Sequence, residues 1–406
     1  MLVITADRPN EWIDQYDGQT IFQEGVYGNH VKGSFQFPNS IGTEDDSWLA
    51  ARLSNEAINL SKKFPCGPVH LNIPLKEPFY PTDGESIQFP EKPCIFNQHS
   101  SNVQLSDESF AKLKNRLDGV HRILVIVGQQ RPNLEILTLL NSLSDRHQVV
   151  FISDCIGNMQ SDKSITFHDH WLGIPQLSSN LEPDLIISFG KSIISKALKL
   201  FLRSTKASHW HIQEDGNAKD TFQRLTRILP THPKAFFKWL TENLQPQNLE
   251  FYQAWHSFEL KVKNELPKVL NRVGFGEYSA LHAALQAIPK LSKIHAANSM
   301  SVRYLNFLGA REQEVCCNRG TSGIDGSSST AVGCTFTTKE LVTLVTGDLA
   351  FFYDRNAFWH NYAMPNLRII LLNNHGGGIF RIIKGPNEQP ELEEFLKLNK
   401  NYPLNI

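Results

Sequence analysis

The apolar positions of this chain fall into short continuous runs, separated by polar turns and by stretches with helical spacing. Two runs, Leu341–Val345 and Leu367–Leu372, have the length of buried parallel strands. Gly347-Asp348 closes the first and Asn373-Asn374 the second. The segment from Asp354 to Tyr362 between them predicts a short crossover helix. Such a unit sets Asp348 and Asn374 together at the carboxyl edge of one sheet, where open α/β sheets hold ligands.

The remainder alternates in the same manner. Leu2-Val3-Ile4 reads as a buried strand, and Val69–Pro74 as a closing one. Thr43, with Asp46 three residues on, predicts a helix cap, and Trp48, Leu49, Leu53, Ala57 and Leu60 follow at helical spacing. Residues 81–105 are rich in proline, glutamine, asparagine and serine, the composition of a linker. Strands are predicted near 122–128, 149–152 and 185–189, with a helix over Leu134–Leu143. Tyr278, Leu281, Leu285 and Ile288 mark an amphipathic helix stopped by Pro289, and Ile294–Ala297 a strand after it.

This pattern predicts an α/β protein of successive parallel-sheet domains. Their expected bounds are 1–80, a linker 81–105, a central domain 106–248 and a last domain 249–406. The strand at the start and the charged stretch at the end have no evident closing partner. The first and last domains are therefore expected to be incomplete, as in a piece of a longer protein. Val127-Gly128-Gln129-Gln130 lacks the later glycines of a dinucleotide fingerprint, so the central domain is expected to hold no cofactor.

Composition narrows the class. With 41% hydrophobic and 20% charged residues the chain is an ordinary globular protein. A formal net charge of -1 supplies no general attraction for nucleic acid or an acidic membrane. No apolar run approaches the about 18 residues of a membrane span. Cys66, Cys94, Cys155, Cys316, Cys317 and Cys334 form no C-x-x-C pair, which fits a reduced, cytoplasmic setting without structural zinc. The adjacent Cys316 and Cys317 read as inert packing thiols.

Gly-Asp or Asn-Asn alone is a turn former after a strand. Together, about 25 residues apart and each closing a buried strand, they favour a metal–diphosphate site. A carboxylate, an amide oxygen and a backbone carbonyl form a hard set that suits magnesium completed by phosphate oxygens. Gly347, Gly376, Gly377 and Gly378 let phosphates approach the backbone.

G-D, a spacer and N-N resemble the thiamine diphosphate motif. The surrounding text is similar to one branch of that superfamily, the menaquinone-pathway MenD family. The matching stretches are T-A-D-R-P at 5–9, G-Q-T-I at 18–21, N-S-M-S-V-R at 298–303 and N-R-G-T-S-G-I-D-G at 318–326, and the likeness runs over nearly the whole chain. Leu349 departs from the glycine common in thiamine enzymes, a change this branch tolerates.

The resemblance implies thiamine diphosphate with magnesium, or manganese in its place, held by Asp348, Asn374 and Gly376. Asn298, Gly347, Leu349, Gly378, Ile379, Phe380 and Ile324 are the further implied cofactor contacts. Ile324 matches the bulky residue beneath the cofactor. The implied substrates are 2-oxoglutarate and isochorismate, each with two carboxylates. Arg8, Gln19, Lys196, Ser299, Arg303 and Arg319 match the substrate positions, and arginine forks suit carboxylates. Arg303, Arg319, Ser299 and Ile324 are the implied catalytic set. Ala197 stands where the family often has arginine, so one contact is missing from the pattern.

A homodimer or homotetramer is implied, with sites between subunits. The family's activating glutamate precedes the T-A-D-R-P loop, and Glu11, Glu24, Glu44, Glu56 and Glu77 all follow it. The 406 residues alone are therefore expected to be inactive. Two alternatives stay open: a simpler 2-oxoacid decarboxylase or acetolactate-type synthase, and a non-catalytic remnant binding a partner or effector.

Overall fold

The computed structural model describes residues 1–40, 42–77, 83–86, 94–99, 103–174 and 179–395. These fall into two compact units, Met1–Val103 and Gln104–Ile406. Nearly half of the expected linker, at 81–82, 87–93 and 100–102, lies outside the described residues.

The first unit is a parallel sheet of three strands, β1 (Leu2–Asp7), β2 (Ser34–Gln36) and β3 (Val69–Pro74), in the order β1-β3-β2. The helix Glu44–Lys62 packs on it through Ala50 and Ala57. Its expected cap is present: the Asp46 amide donates to Thr43 Oγ1 and the Thr43 amide to Asp46 Oδ2, both at 3.1 Å. Two expectations need correction. Trp48 is exposed, with the Arg52 guanidinium 5.1 Å above its ring, because the helix turns its small alanines to the sheet. The first strand is also not buried. β1 lies at a sheet edge and alternates, with Leu2 and Ile4 outward and Ile4 58% exposed.

The second unit holds two parallel sheets. β4 (Ile123–Val127), β5 (Val150–Ser153), β6 (Leu185–Phe189), β7 (Ser208–Ile212) and β8 (Leu225–Leu229) run in the order β5-β4-β6-β7-β8. β4, β5 and β6 are buried along their whole length, as apolar runs covered on both faces must be. β7, with the sequence SHWHI, shows no apolar run. It is accommodated because Ser188 Oγ lies 2.7 Å from both His209 Nε2 and His211 Nδ1, so the buried rings are hydrogen-bonded.

The other sheet comprises β9 (Ser292–Ala296), β10 (Glu314–Cys317), β11 (Leu341–Gly347) and β12 (Leu367–Leu372), in the order β10-β9-β11-β12. The two sheets share a core through Cys155, Ile156 and Ile194, which pack with Leu281, Ile294, Val302 and Val345. Polar ties reinforce it. Asn158 Nδ2 donates to the Val315 carbonyl at 3.0 Å, and the Val315 amide donates back to Asn158 Oδ1 at 2.7 Å.

The crossover from β11 to β12 differs from expectation. The helix begins at Asp348 itself and ends at Tyr353, and a 3-10 turn, Arg355–Phe358, occupies the predicted segment. Asp354 stops the helix by accepting the Ser329 amide and hydroxyl, at 2.7 and 2.6 Å, which ties the chain to the helix Ser327–Thr335. Among the described residues no helix is long and apolar enough to cross a membrane.

Candidate active site

β11 and β12 pair in register with Gly347 opposite Leu372, so Asp348 and the Asn373-Asn374 turn leave neighbouring strand ends. Asp348 is 4% exposed. Its Oδ1 accepts the Leu349 amide at 2.8 Å and its Oδ2 the Gly376 amide at 3.0 Å. Burial pushes its pKa up against the pull of those amides. No cation pairs with this carboxylate among the described residues, so a bound cation would relieve its desolvation.

Asn374 Oδ1 also accepts the Gly376 amide, at 3.1 Å, and its Nδ2 donates to Glu277 Oε1 at 3.1 Å. Glu277 in turn accepts the Tyr304 hydroxyl at 3.0 Å. Glu277 thereby fixes which end of the Asn374 amide faces Asp348. Sequence reasoning missed it, since its only local signal is a place at the start of the helix Glu277–Gln286. The Gly376 carbonyl, an expected ligand, accepts the Gly378 amide at 3.1 Å and keeps a second lone pair. A Cβ on Gly378 would lie 2.7 Å from Asn374 Nδ2, so glycine is needed there to leave the amide in place. Asn374, His375, Gly376, Gly377, Gly378, Arg381 and Leu392 line a shallow cavity.

Among the described residues no three or more His, Cys, Asp or Glu side chains gather as a metal cage. One carboxylate, one amide oxygen and one carbonyl leave most of an octahedral shell to other oxygens. That donor set fits a magnesium ion shared with a diphosphate.

On the far side of β11, Asn298 follows β9 and is 3% exposed. Its Nδ2 donates to the Asn318 and Gly323 carbonyls, both at 2.7 Å, and its Oδ1 accepts Arg319 Nη1 at 2.8 Å. Expected as a cofactor contact, Asn298 instead spends its side chain holding the loop that carries Arg319 and Ile324. Ser299 sits at φ 72, a positive value uncommon for a non-glycine residue. Its carbonyl accepts Arg303 Nη1 at 2.7 Å. Arg303 and Arg319 are half-buried, and burial first, then the Arg319 charge, lowers the Arg303 pKa. The buried Arg319 Nε has no hydrogen-bond partner among the described residues. Ile324, Ile379 and Phe380 are half-buried and stand outside the buried apolar clusters, and Leu349 is likewise half-buried.

Lys196 opens the helix Lys196–Ser204 after the cap Ser195, as expected for a helix start, but it is exposed. The lysine that faces the arginines is Lys199, half-buried one turn on. Arg8 and Gln19 belong to the first unit. Arg8 already pairs with Asp17 at 2.7 Å and Glu77 at 3.1 Å, and Gln19 has φ 61.

A parallel sheet that ends adjacent strands in Gly347-Asp348 and Asn373-Asn374, beside a glycine turn, defines a thiamine diphosphate-dependent enzyme by class. A family model described as "Middle domain of thiamine pyrophosphate" matches residues 92–294. The chain is 42% identical to a 2-succinyl-5-enolpyruvyl-6-hydroxy-3-cyclohexene-1-carboxylate synthase of Cytophaga hutchinsonii, over 98% of this chain and 71% of that relative. Synthases of the same name from Bacteroides fragilis and Porphyromonas gingivalis are 37% and 34% identical, over 95% and 97% of this chain and 68% and 70% of theirs. The chain belongs to this synthase family.

Proposed function

We propose that the chain carries the activity for which its relatives are named, as a thiamine diphosphate- and magnesium-dependent carboligase of menaquinone biosynthesis. In this reading 2-oxoglutarate loses carbon dioxide, and the electron pair left behind forms the new carbon–carbon bond to isochorismate. Bound thiamine diphosphate supplies the electron sink that makes this step accessible. Asp348, Asn374 Oδ1 and the Gly376 carbonyl would hold magnesium, or manganese in its place, against the diphosphate. Ile324, Ile379 and Phe380 offer an apolar wall, while Ser299, Arg303 and Arg319 hold carboxylates; by the family pattern Arg8 and Gln19 are also substrate-binding residues.

The observation that carries this reading is the register of β11 and β12. It puts the buried Asp348 carboxylate on the same Gly376 amide that Asn374 uses. We take the domain bounds as 1–80, 106–248 and 249–406, the assembly as a homodimer or homotetramer, and the setting as cytoplasmic, in keeping with six free thiols. Glu11, Glu56 and Glu77 pair with Lys76, Arg52 and Arg8, so none of the three is offered here as the activating glutamate. The deciding experiment is calorimetry with thiamine diphosphate and magnesium. Asp348→Ala is expected to cost about 3 kcal/mol or more of cofactor affinity with the fold retained. Unchanged affinity would remove the assignment.

A further inference from the structure

Helix Lys196–Ser204 and helix Met300–Phe307 are docked on one carboxylate. The Ser195 hydroxyl donates to Asp169 Oδ1, and Asn306 Nδ2 donates to Asp169 Oδ2 at 2.8 Å. Lys199 lies one turn after Ser195, and Arg303 one turn before Asn306. Residues so spaced share a helix face with the docking residue. Both side chains therefore project along the seam between the helices, towards the Arg319 loop.

Among the described residues no carboxylate forms an ion pair with any of the three cations, although Asp154 and Asp169 lie close enough to act on Lys199 and Arg303. Lys199 forms no ion pair among the described residues. Among the described residues Arg303 donates only to the Ser299 carbonyl and Arg319 only to Asn298 Oδ1, while the buried Arg319 Nε has no partner among them. The two nearby acids are occupied. Asp169 holds Ser195 and Asn306, and Asp154 accepts the Ile194 and Ser195 amides and faces His168 Nε2 at 3.1 Å. Burial first, and then the charges of Arg319, Arg203 and Arg303, lower the Lys199 pKa against the pull of Asp154. Three partly desolvated like charges cost stability unless a ligand supplies the anion.

We propose that Lys199, rather than the exposed Lys196, is the cation this helix adds to the Arg303–Arg319 site, and that it sets the preference for a dicarboxylate over a monocarboxylate 2-oxoacid. Two arginines match one carboxylate, and the lysine ammonium is a third donor for a second. It stands two positions beyond Ala197, in the segment where the family pattern loses a cation. The inference rests on reading Arg303 and Arg319 as carboxylate-binding.

The test uses the 406-residue chain loaded with thiamine diphosphate and magnesium, titrated calorimetrically with 2-oxoglutarate and with 2-oxobutyrate. Lys199→Gln is expected to weaken 2-oxoglutarate about tenfold and 2-oxobutyrate less than about twofold. Lys199→Arg should restore the difference, and Lys196→Gln should cost less than Lys199→Gln. A second readout separates binding from structure. Without ligand, Lys199→Gln should melt at the same or a higher temperature than the parent, because a repulsion is removed. A lower melting temperature would mark a structural lysine and overturn the proposal. So would a loss of 2-oxoglutarate binding in Arg303→Ala that Lys199→Gln does not share. If the parent takes up no 2-oxoglutarate, or neither variant changes its uptake, the carboxylate reading of the arginines falls, and the inference with it.

Discussion

In the five-stranded sheet the order of the strands reverses between β4 and β6, and in the four-stranded sheet between β9 and β11. Both reversals create a crevice at the carboxyl edge, the usual ligand position of open α/β sheets. The first crevice is filled by backbone. The Gly128 amide donates to the Phe189 carbonyl at 2.8 Å, and Gln129 exchanges backbone bonds with Lys191 and Ser192 at 3.0 Å. A Cβ on Gly128 would lie 2.2 Å from the Lys191 carbonyl oxygen, and one on Gly190, at φ +79, 2.6 Å from that of Gly128. The second crevice is framed by Asn298 and Asp348. A Cβ on Gly347 would meet nothing nearer than 3.9 Å, and one on Gly320 nothing within 4 Å. Topology offers the crevice twice, and glycine use in the following loops decides whether backbone or ligand occupies it.

The sharpest way to break this comparison is to add one methyl group to each edge. Gly128→Ala is expected to destabilise the chain by about 4 kcal/mol, because a backbone oxygen cannot move aside as a side chain can. Gly347→Ala should cost under about 1 kcal/mol in the absence of cofactor, its φ of -85 being ordinary for alanine. Denaturant titration of both checks this, and equal losses would show that the two edges are packed alike.

Charge at the open edge comes next. Arg303→Ala should lower the specificity constant for 2-oxoglutarate by an amount worth about 3 kcal/mol, the scale of removing one partner of a buried charge pair, with cofactor affinity nearly unchanged. Steady-state kinetics at saturating cofactor is the measurement.

Both sheets share one weakness, which sharpens the comparison by removing it. Burial pushes His209 on β7, His295 on β9 and His256 between them in sequence down to about 4, from an ordinary 6.5. A depressed folded value means stability present above pH 6.5 and lost as pH falls towards 4, since the unfolded chain binds the protons first. Melting temperatures between pH 7.5 and 5 should therefore fall together for both sheets, and His295→Gln should flatten the slope.

The smallest expected effect concerns orientation. Glu277→Gln should weaken magnesium-dependent cofactor binding about tenfold, the scale of losing a partner that orients a metal ligand, while the melting temperature of the cofactor-free chain barely moves. Calorimetry against differential scanning would separate these.

Much of this was legible because burial leaves a local record. Leu341–Val345 and Leu185–Ile187 became buried strands, while Leu367–Leu372, interrupted by Arg368, became an edge strand that is not buried as expected, with Ile369 38% exposed and only Leu372 buried. Thr43 and Asp46 formed their cap because both partners lie within one turn. Gly347-Asp348 and Asn373-Asn374 were readable as strand ends for the same reason, and the parallel register then brought them together. What the residues could not record locally is pairing across long separations. β7 is a strand because Ser188, some twenty positions earlier, hydrogen-bonds His209 and His211. The crossover helix starts at Asp348 and stops at Asp354 because Ser329 waits on another helix. Glu277 meets Asn374 across 97 positions, and Lys199 rather than Lys196 turns inward because Asp169 docks two helices. Period and run length report which face of an element is dry; which polar group answers another across that face is decided only when the elements pack.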